Sequence, residues 1–301
     1  MLRIFGLSAF SSLRLIAYFH SRIKIPGRAP CSAFSLSNRV RNDGGGSQVL
    51  YAMMALAVAN LLGVAYHHRS FRDVAHVVGE GKDFVDSWNS AFDFLKLNQV
   101  PEHRQVFSID SPLQSARAIL GIRNGVSITS SKFRYLVDQK PSCLDEVRPQ
   151  LRLIYRPGSN YAEGLRQERF VTLHARRGDV TPVKHPGRWS SGQELSGDFL
   201  AIRRYLEMPN AKAEVVTDEN SDEVSDLDPK LFLKRHDSDP LQAFERLVKA
   251  EVLVTGRSSF SYVAALLSLN TIVYRDFWHP PMPGWLSLRA IRHGLDKVEF
   301  S

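Results

Sequence analysis

Between residues 168 and 276 one arrangement recurs. A short apolar run rich in β-branched residues ends in polar ones, and a stretch with helical spacing follows. The strand-like runs are ERFVTLHA (168–175), AEVVTDEN (213–220), FLKRHD (232–237), EVLVTG (251–256) and NTIVYRD (270–276). FLAIRRYLEM (199–208), PLQAFERLVKA (240–250) and SSFSYVAALLSL (258–269) read as helices. Strands that are apolar on both faces bury themselves in a parallel sheet covered on both sides. The expected fold class is therefore α/β, with a Rossmann-like C-terminal half.

The front of the chain repeats the idea more faintly. GGGSQ (44–48) reads as a flexible turn, 48–62 as an Ala-, Leu- and Met-rich helix stopped by Gly63, and VAYHH (64–68) as a strand. In the less legible middle, VDSWNSAFDFLKL (85–97), SPLQSARAILGI (111–122) and SKFRYLVDQ (131–139) have helical spacing. RPGSNYAEG (156–164) reads as a loop and a domain boundary. The expected organisation is a basic extension over 1–38, an N-terminal lobe over 39–165 and a C-terminal lobe over 166–301.

The chain of 301 residues carries a formal net charge of +8, which first suggests a nucleic-acid or anionic-membrane partner. Its distribution argues otherwise. Arg3, Arg14, Arg22, Lys24, Arg28, Arg39 and Arg41 fall within residues 1–42, which hold no Asp or Glu, so the body is nearly neutral. No basic stripe with interleaved aromatics points to nucleic acid. An Arg- and Ser-rich, acid-free head is how targeting segments read, and it leaves the compartment open between an organelle, the secretory route and the cytoplasm. Arg14 interrupts its apolar run, and no other stretch reads as a membrane span. Cys143 is the one cysteine beyond the head, which excludes an internal disulfide or a cysteine metal site there.

Polar clusters stand where the strands end, the edge at which such sheets bind ligands. HARRGD brings His174, Arg176, Arg177 and Asp179; TDEN brings Asp218; HDSD brings Asp239; TGRSSFS brings Ser258, Ser259 and Phe260. Two guanidinium groups suit a phosphate, and a Ser-capped helix start offers free N–H groups and a favourable dipole. Together they make a diphosphate site that needs no metal. The glycine turn has no Lys and is not a P-loop, but Gly45 and Gly46 would let backbone N–H groups approach a ligand. Taken singly, adjacent arginines beside an Asp are commonly a surface ion-pair patch, and Ser-Ser before a helix is commonly only a cap. Asp237 and Asp239 spell a metal-holding Asp-x-Asp, a pattern frequent by chance.

In this order, HARRGD, VVTDEN, an Asp before a helix and EVLVTGRSSFSYVAALL resemble the fucosyltransferase superfamily, whose α1,2-, α1,6- and protein O-fucosyltransferases share an HxRxxD-type motif and a late Ser-Ser/Ser-Phe segment. GGGSQ is similar to the family's glycine-rich GGxGNQ turn, with Ser47 in place of Asn. The resemblance spans 39–68 and 168–276. It implies a GT-B-like fold of two Rossmann-like lobes facing across a cleft, with GDP-fucose as donor substrate in the C-terminal lobe. It further implies an inverting reaction without metal or other cofactor, and a glycan or glycoprotein acceptor. Arg176 would then stabilise charge on departing GDP, His174 and Asp239 would lie near guanine and ribose, and Ser258, Ser259 and Phe260 would line the phosphates. Glu163, Glu168 and Glu194 are the acceptor-base candidates. A transferase using another nucleotide sugar, a binding protein without turnover and a metal-dependent enzyme built on Asp237 and Asp239 stay open as rivals.

Overall fold

The computed structural model describes residues 34–40, 43–72, 81–98, 100, 105–110, 126–156, 170–177, 179–217, 232–236 and 239–295. The chain divides into two units, Met1–Arg156 and Pro157–Ser301.

In the first unit the described elements are β1 (Phe34–Ser37), α1 (Gly45–Leu62), β2 (Ala65–His67), α2 (Gly81–Ala91), β3 (Val106–Ser108), β4 (Val126–Thr129), α3 (Phe133–Gln139) and α4 (Ser142–Ile154). The strands form a parallel sheet in the order β2-β1-β4-β3. β1 is an inner strand, buried at every position. This corrects the expected extension over 1–38, because Phe34–Ser37 belongs to the sheet. The short FSLS run, with two serines, carries little strand signal. Its polarity is accommodated inside: Ser35 Oγ lies 2.7 Å from Ser127 Oγ, which lies 2.6 Å from His67 Nδ1.

α1 is apolar nearly all round, as a helix buried on several sides must be. It packs on β1, α3 and α4. By length and composition alone it passes for a membrane span, but it is mostly buried inside the fold, as the core helix of a globular unit is, so no convincing span stands among the described residues. It ends where Gly63, at φ 63°, donates to Asn60 O, while Val64 donates to Ala59 O. That paired closure favours glycine in the left-handed region. The helix also begins earlier than expected, at Gly45, so GGGSQ is a helix start and not a flexible turn. α4 is missing from the sequence reading, since Pro149 inside it is a breaker by local rules. The stretch 111–122 lies outside the described residues.

The second unit holds β5 (Phe170–Ala175), α5 (Gly192–Tyr205), β6 (Lys212–Thr217), β7 (Phe232–His236), α6 (Pro240–Lys249), β8 (Val252–Val254), α7 (Ser259–Leu267), β9 (Thr271–Tyr274), β10 (Leu286–Ser287) and α8 (Leu288–Arg292). Its sheet is parallel throughout, in the order β10-β9-β8-β5-β6-β7. The chain winds outward from β5 to β7, returns to β8 and winds out the other way. Right-handed crossovers running in opposite directions place helices on opposite faces. α5 packs with α8, and α6 packs with α7.

Side-chain alternation then sorts the core. Val171, Leu173 and Ala175 of β5 join Leu195, Phe199 and Ile202 of α5 in one buried cluster. Thr172 and His174 point to the other face. There Glu214, 1% exposed, accepts from Thr172 Oγ1 at 3.1 Å and from Arg246 of α6 at 3.3 Å.

Candidate functional site at the sheet switch point

The winding reverses between β5 and β8. In a doubly wound sheet this is where the loops at the strand ends part and a ligand enters. β5 runs into Arg176 and Arg177, and β8 runs into Thr255–Ser258 and the start of α7. The strands are parallel neighbours, so both segments leave from one edge.

His174 and Gly256 join them. A Cβ on Gly256 would fall 2.6 Å from the His174 carbonyl oxygen and 2.7 Å from its Nδ1, so only glycine fits beside the ring. Phe260 of α7 packs against the imidazole at 5.6 Å between centroids and meets Phe244 edge-on at 5.3 Å. Burial drives the His174 pKa down to about 3, with Arg176, Arg177 and Arg188 adding to the effect. The imidazole is therefore neutral at any ordinary pH. Among the described residues its Nδ1 has no hydrogen-bond partner, and neither has Thr217 Oγ1 at the end of neighbouring β6, so both are available to a bound group.

The two arginines of HARRGD part company. Arg176 is half-buried, and its Nε and Nη2 reach Asp179 Oδ1 at 2.8 and 2.7 Å. Asp179 thus holds Arg176 in place. Arg177 is fully buried and donates to the carbonyls of Arg176 (3.1 Å) and Ser190 (2.7 Å), with its guanidinium 3.7 Å from the Trp189 ring centre. It is a structural brace. This corrects its expected role as a phosphate ligand, which spacing alone could not separate from that of Arg176.

The start of α7 is capped by Ser258, whose Oγ accepts from Phe260 N. Ser259 follows half-buried in the first turn. Ser261 accepts from Gly256 N at 3.0 Å and so braces the turn from inside. Asp239 caps α6 by accepting from Leu241 N at 2.9 Å. A cap is what its surroundings show, in place of the expected contact with a nucleoside. Asp218, Asp237, Glu163 and Glu168 lie outside the described residues. Gly45 and Gly46 lie in the first unit, buried in the first turn of α1. A Cβ on Gly45 would meet the Trp88 indole at 2.5 Å, so that glycine serves close packing rather than an open ligand loop.

Several residues at this edge went unforeseen. Arg257 donates to Trp189 O at 2.9 Å and to Glu194 at 3.3 Å, and Arg188 Nε donates to Arg257 O at 3.4 Å. Behind them Glu194 and buried Asp198 of α5 bind Arg275 and Arg292. Burial raises Asp198 and lowers Arg275, and their ion pair opposes both shifts. Glu194 is a counterion to arginines. The segments leaving β5, β8 and β9, with the helix ends beside them, carry Arg176, Arg177, Arg188, Arg257, Arg275 and Arg292 against Asp179, Glu194, Asp198 and Asp276. That surplus of positive charge, beside the start of α7, suits an anion. Among the described residues no three His, Cys, Asp or Glu side chains gather to share a metal ion.

The chain matches no protein-family model and no curated protein sequence. Among solved structures it is similar to the fucosyltransferase NodZ from Bradyrhizobium, at 16% identity and a TM-score of 0.45, over 83% of this chain and 96% of that one. It is also similar to POFUT1 in complex with GDP-fucose, at 12% identity and a TM-score of 0.42, over 84% of this chain and 100% of that one.

Proposed function

We propose that the switch point of the second unit binds a nucleoside-diphosphate sugar, and that the protein is a glycosyltransferase. Its reaction is an inverting, metal-independent transfer of fucose from GDP-fucose to a glycan or glycoprotein hydroxyl. One observation carries the reading: the close approach of His174 to Gly256 brings Arg176 and the start of α7 to one edge of the sheet. A guanidinium and a helix start on a shared edge suit a diphosphate.

Each part has a task. As the bond from sugar to diphosphate lengthens, negative charge grows on the departing oxygens. Arg176, oriented by Asp179, stabilises that charge without rearranging, and the dipole of α7 adds to it. Neutral His174 supplies a ring nitrogen to the nucleoside end, beside the Phe260 ring. Ser258 spends its hydroxyl on the helix cap, so its neighbourhood contributes backbone N–H groups. The HARRGD-to-SSFS order supports fucose and guanine as the sugar and base.

The test is calorimetry on the full chain with GDP, GDP-fucose, GDP-mannose and UDP-sugars, followed by an acceptor screen. GDP and GDP-fucose are expected to bind and UDP-sugars to bind weakly. Preference for a uridine nucleotide would move the donor assignment, and indifference to every nucleotide would end the reading. Binding without modification of any acceptor would favour a descendant that has lost turnover.

A further inference from the structure

We propose that Trp278 is the surface on which the donor's sugar ring lies, and that it selects a deoxy sugar over one bearing a hydroxymethyl group. The inference rests on the switch point binding a nucleotide sugar.

The loop that leaves β9 is held by two phenols. Tyr274 Oη donates to His279 O, with Phe277 O beside it at 3.1 Å, and accepts from Phe277 N at 2.9 Å. Tyr262 of α7 donates to Pro280 O at 2.7 Å. A loop fixed this firmly has every opportunity to bury its largest apolar side chain. His279 is indeed 4% exposed, whereas Trp278 is left 47% exposed. An indole kept in water on a rigid support forfeits much of its apolar burial, which is the pattern of a binding anchor.

Its position says what it anchors. The Arg188 guanidinium lies 5.3 Å from the Trp278 ring centre, and Arg188 Nε donates to Arg257 O, next to the cap of α7. The indole therefore stands one side chain, that of Arg188, away from the turn that opens α7. Aromatic groups flank that turn in two ways. His174 is buried against the half-buried Phe260 ring, and its Nδ1, without a partner among the described residues, suits the hydrogen-bonding edge of a base. Trp278 is open to water. The sugar has to remain within reach of an acceptor hydroxyl, so it belongs beside the open ring. L-fucose, a 6-deoxyhexose, offers that ring a methyl group where its 6-hydroxy counterpart L-galactose offers a hydroxymethyl, and an apolar surface favours the methyl.

The experiment measures affinity of the full chain for GDP, GDP-fucose and GDP-L-galactose, in the wild type, Trp278→Ala and Trp278→Phe. The wild type should prefer GDP-fucose to GDP-L-galactose, and Trp278→Ala should lose that preference. Trp278→Ala should lose about tenfold in GDP-fucose affinity, the scale of one misplaced apolar group, with GDP affinity and thermal midpoint unchanged. Trp278→Phe should keep most of the preference. Equal losses for GDP and GDP-fucose, or no loss for either, would overturn the inference while leaving the nucleotide site standing. Failure of wild-type protein to bind GDP would overturn both.

Discussion

Gly256 and His174 are packed so closely that no side chain fits between them: a Cβ would come within 2.6 Å of the His174 carbonyl oxygen. The obstacle is backbone and a fully buried ring, neither of which swings aside. Gly256→Ala should therefore displace the Thr255–Ser258 turn or the end of β5. Overpacking of this kind costs about 1–3 kcal/mol, so the thermal midpoint should fall by several degrees. GDP binding should fall with it, because the same displacement separates Arg176 from the start of α7. A stable Gly256→Ala protein with intact GDP affinity would contradict the proposed geometry.

Arg176 and Arg177 are neighbours in sequence and opposites in role. The Arg176–Asp179 pair leaves the two side chains 17% and 19% exposed, and such a pair contributes about 1 kcal/mol or less to stability. Arg176→Ala should fold normally and lose turnover by about 10²–10³-fold, the scale of one missing donor to a developing oxyanion. Arg177→Ala should instead strand the carbonyls of Arg176 and Ser190 and open a cavity beside Trp189, costing about 3 kcal/mol. Arg177→Lys should rescue only part, since an ammonium lacks the flat face that stacks on the indole and the fixed fork that reaches both carbonyls at once. Chemical denaturation and turnover, measured on the three variants, separate the roles.

That contrast marks how far local pattern carries. The alternation of strands and helices in the second unit is visible in the sequence because parallel strands buried on both faces need unbroken apolar runs, as Val252–Val254 shows. The site's edge is visible for the same reason, since polar residues mark where each strand leaves the core. What pattern cannot show is which polar group turns inward. Arg177 is buried through a carbonyl and an indole about a dozen residues away, at Ser190 and Trp189. β1 is hidden because two of its four residues are serines, and the partner of Ser35 lies on a strand far along the chain, at Ser127. Arg188 ends a single 3-10 turn, Pro186–Arg188, and Trp278 sits in an irregular loop, both too short for any periodicity to announce a site.

His174 and His68 are both held near a pKa of about 3, below their ordinary 6.5, chiefly by burial. In the native protein both stay neutral between those values, whereas in the unfolded chain both take up a proton near 6.5. The unfolded state therefore binds more protons across this window, and stability rises with pH through it. The stabilisation is fully present above pH 6.5 and is lost as the pH falls towards 3. Asp198, raised by burial, acts in the opposite direction at the acid end, where one carboxylate opposes two imidazoles. Urea midpoints should drop steadily from pH 7 to pH 4.5, and His174→Asn should flatten the slope. A slope that His174→Asn leaves unchanged would show that the imidazole is solvated. For the same reason turnover should show no ionisation of His174 near neutrality.

Glu194 separates a counterion from a catalytic base. Its carboxylate lies 2.6 Å from Arg275 Nη1 and 3.3 Å from Arg257 Nη2, and its backbone N–H completes the Ser191 cap of α5. A carboxylate already accepting from the Arg257 and Arg275 guanidinium groups is committed to holding them in place. Glu194→Gln keeps the shape and removes the charge, so Arg257 and Arg275 would repel each other beside the α7 turn. The expected outcome is a lower thermal midpoint, partly recovered in high salt, with turnover reduced only as far as the turn loosens. A general base contributes about 10²–10⁴-fold and little stability, so the opposite result is equally easy to recognise. Unaltered stability together with abolished turnover would return Glu194 to the chemistry.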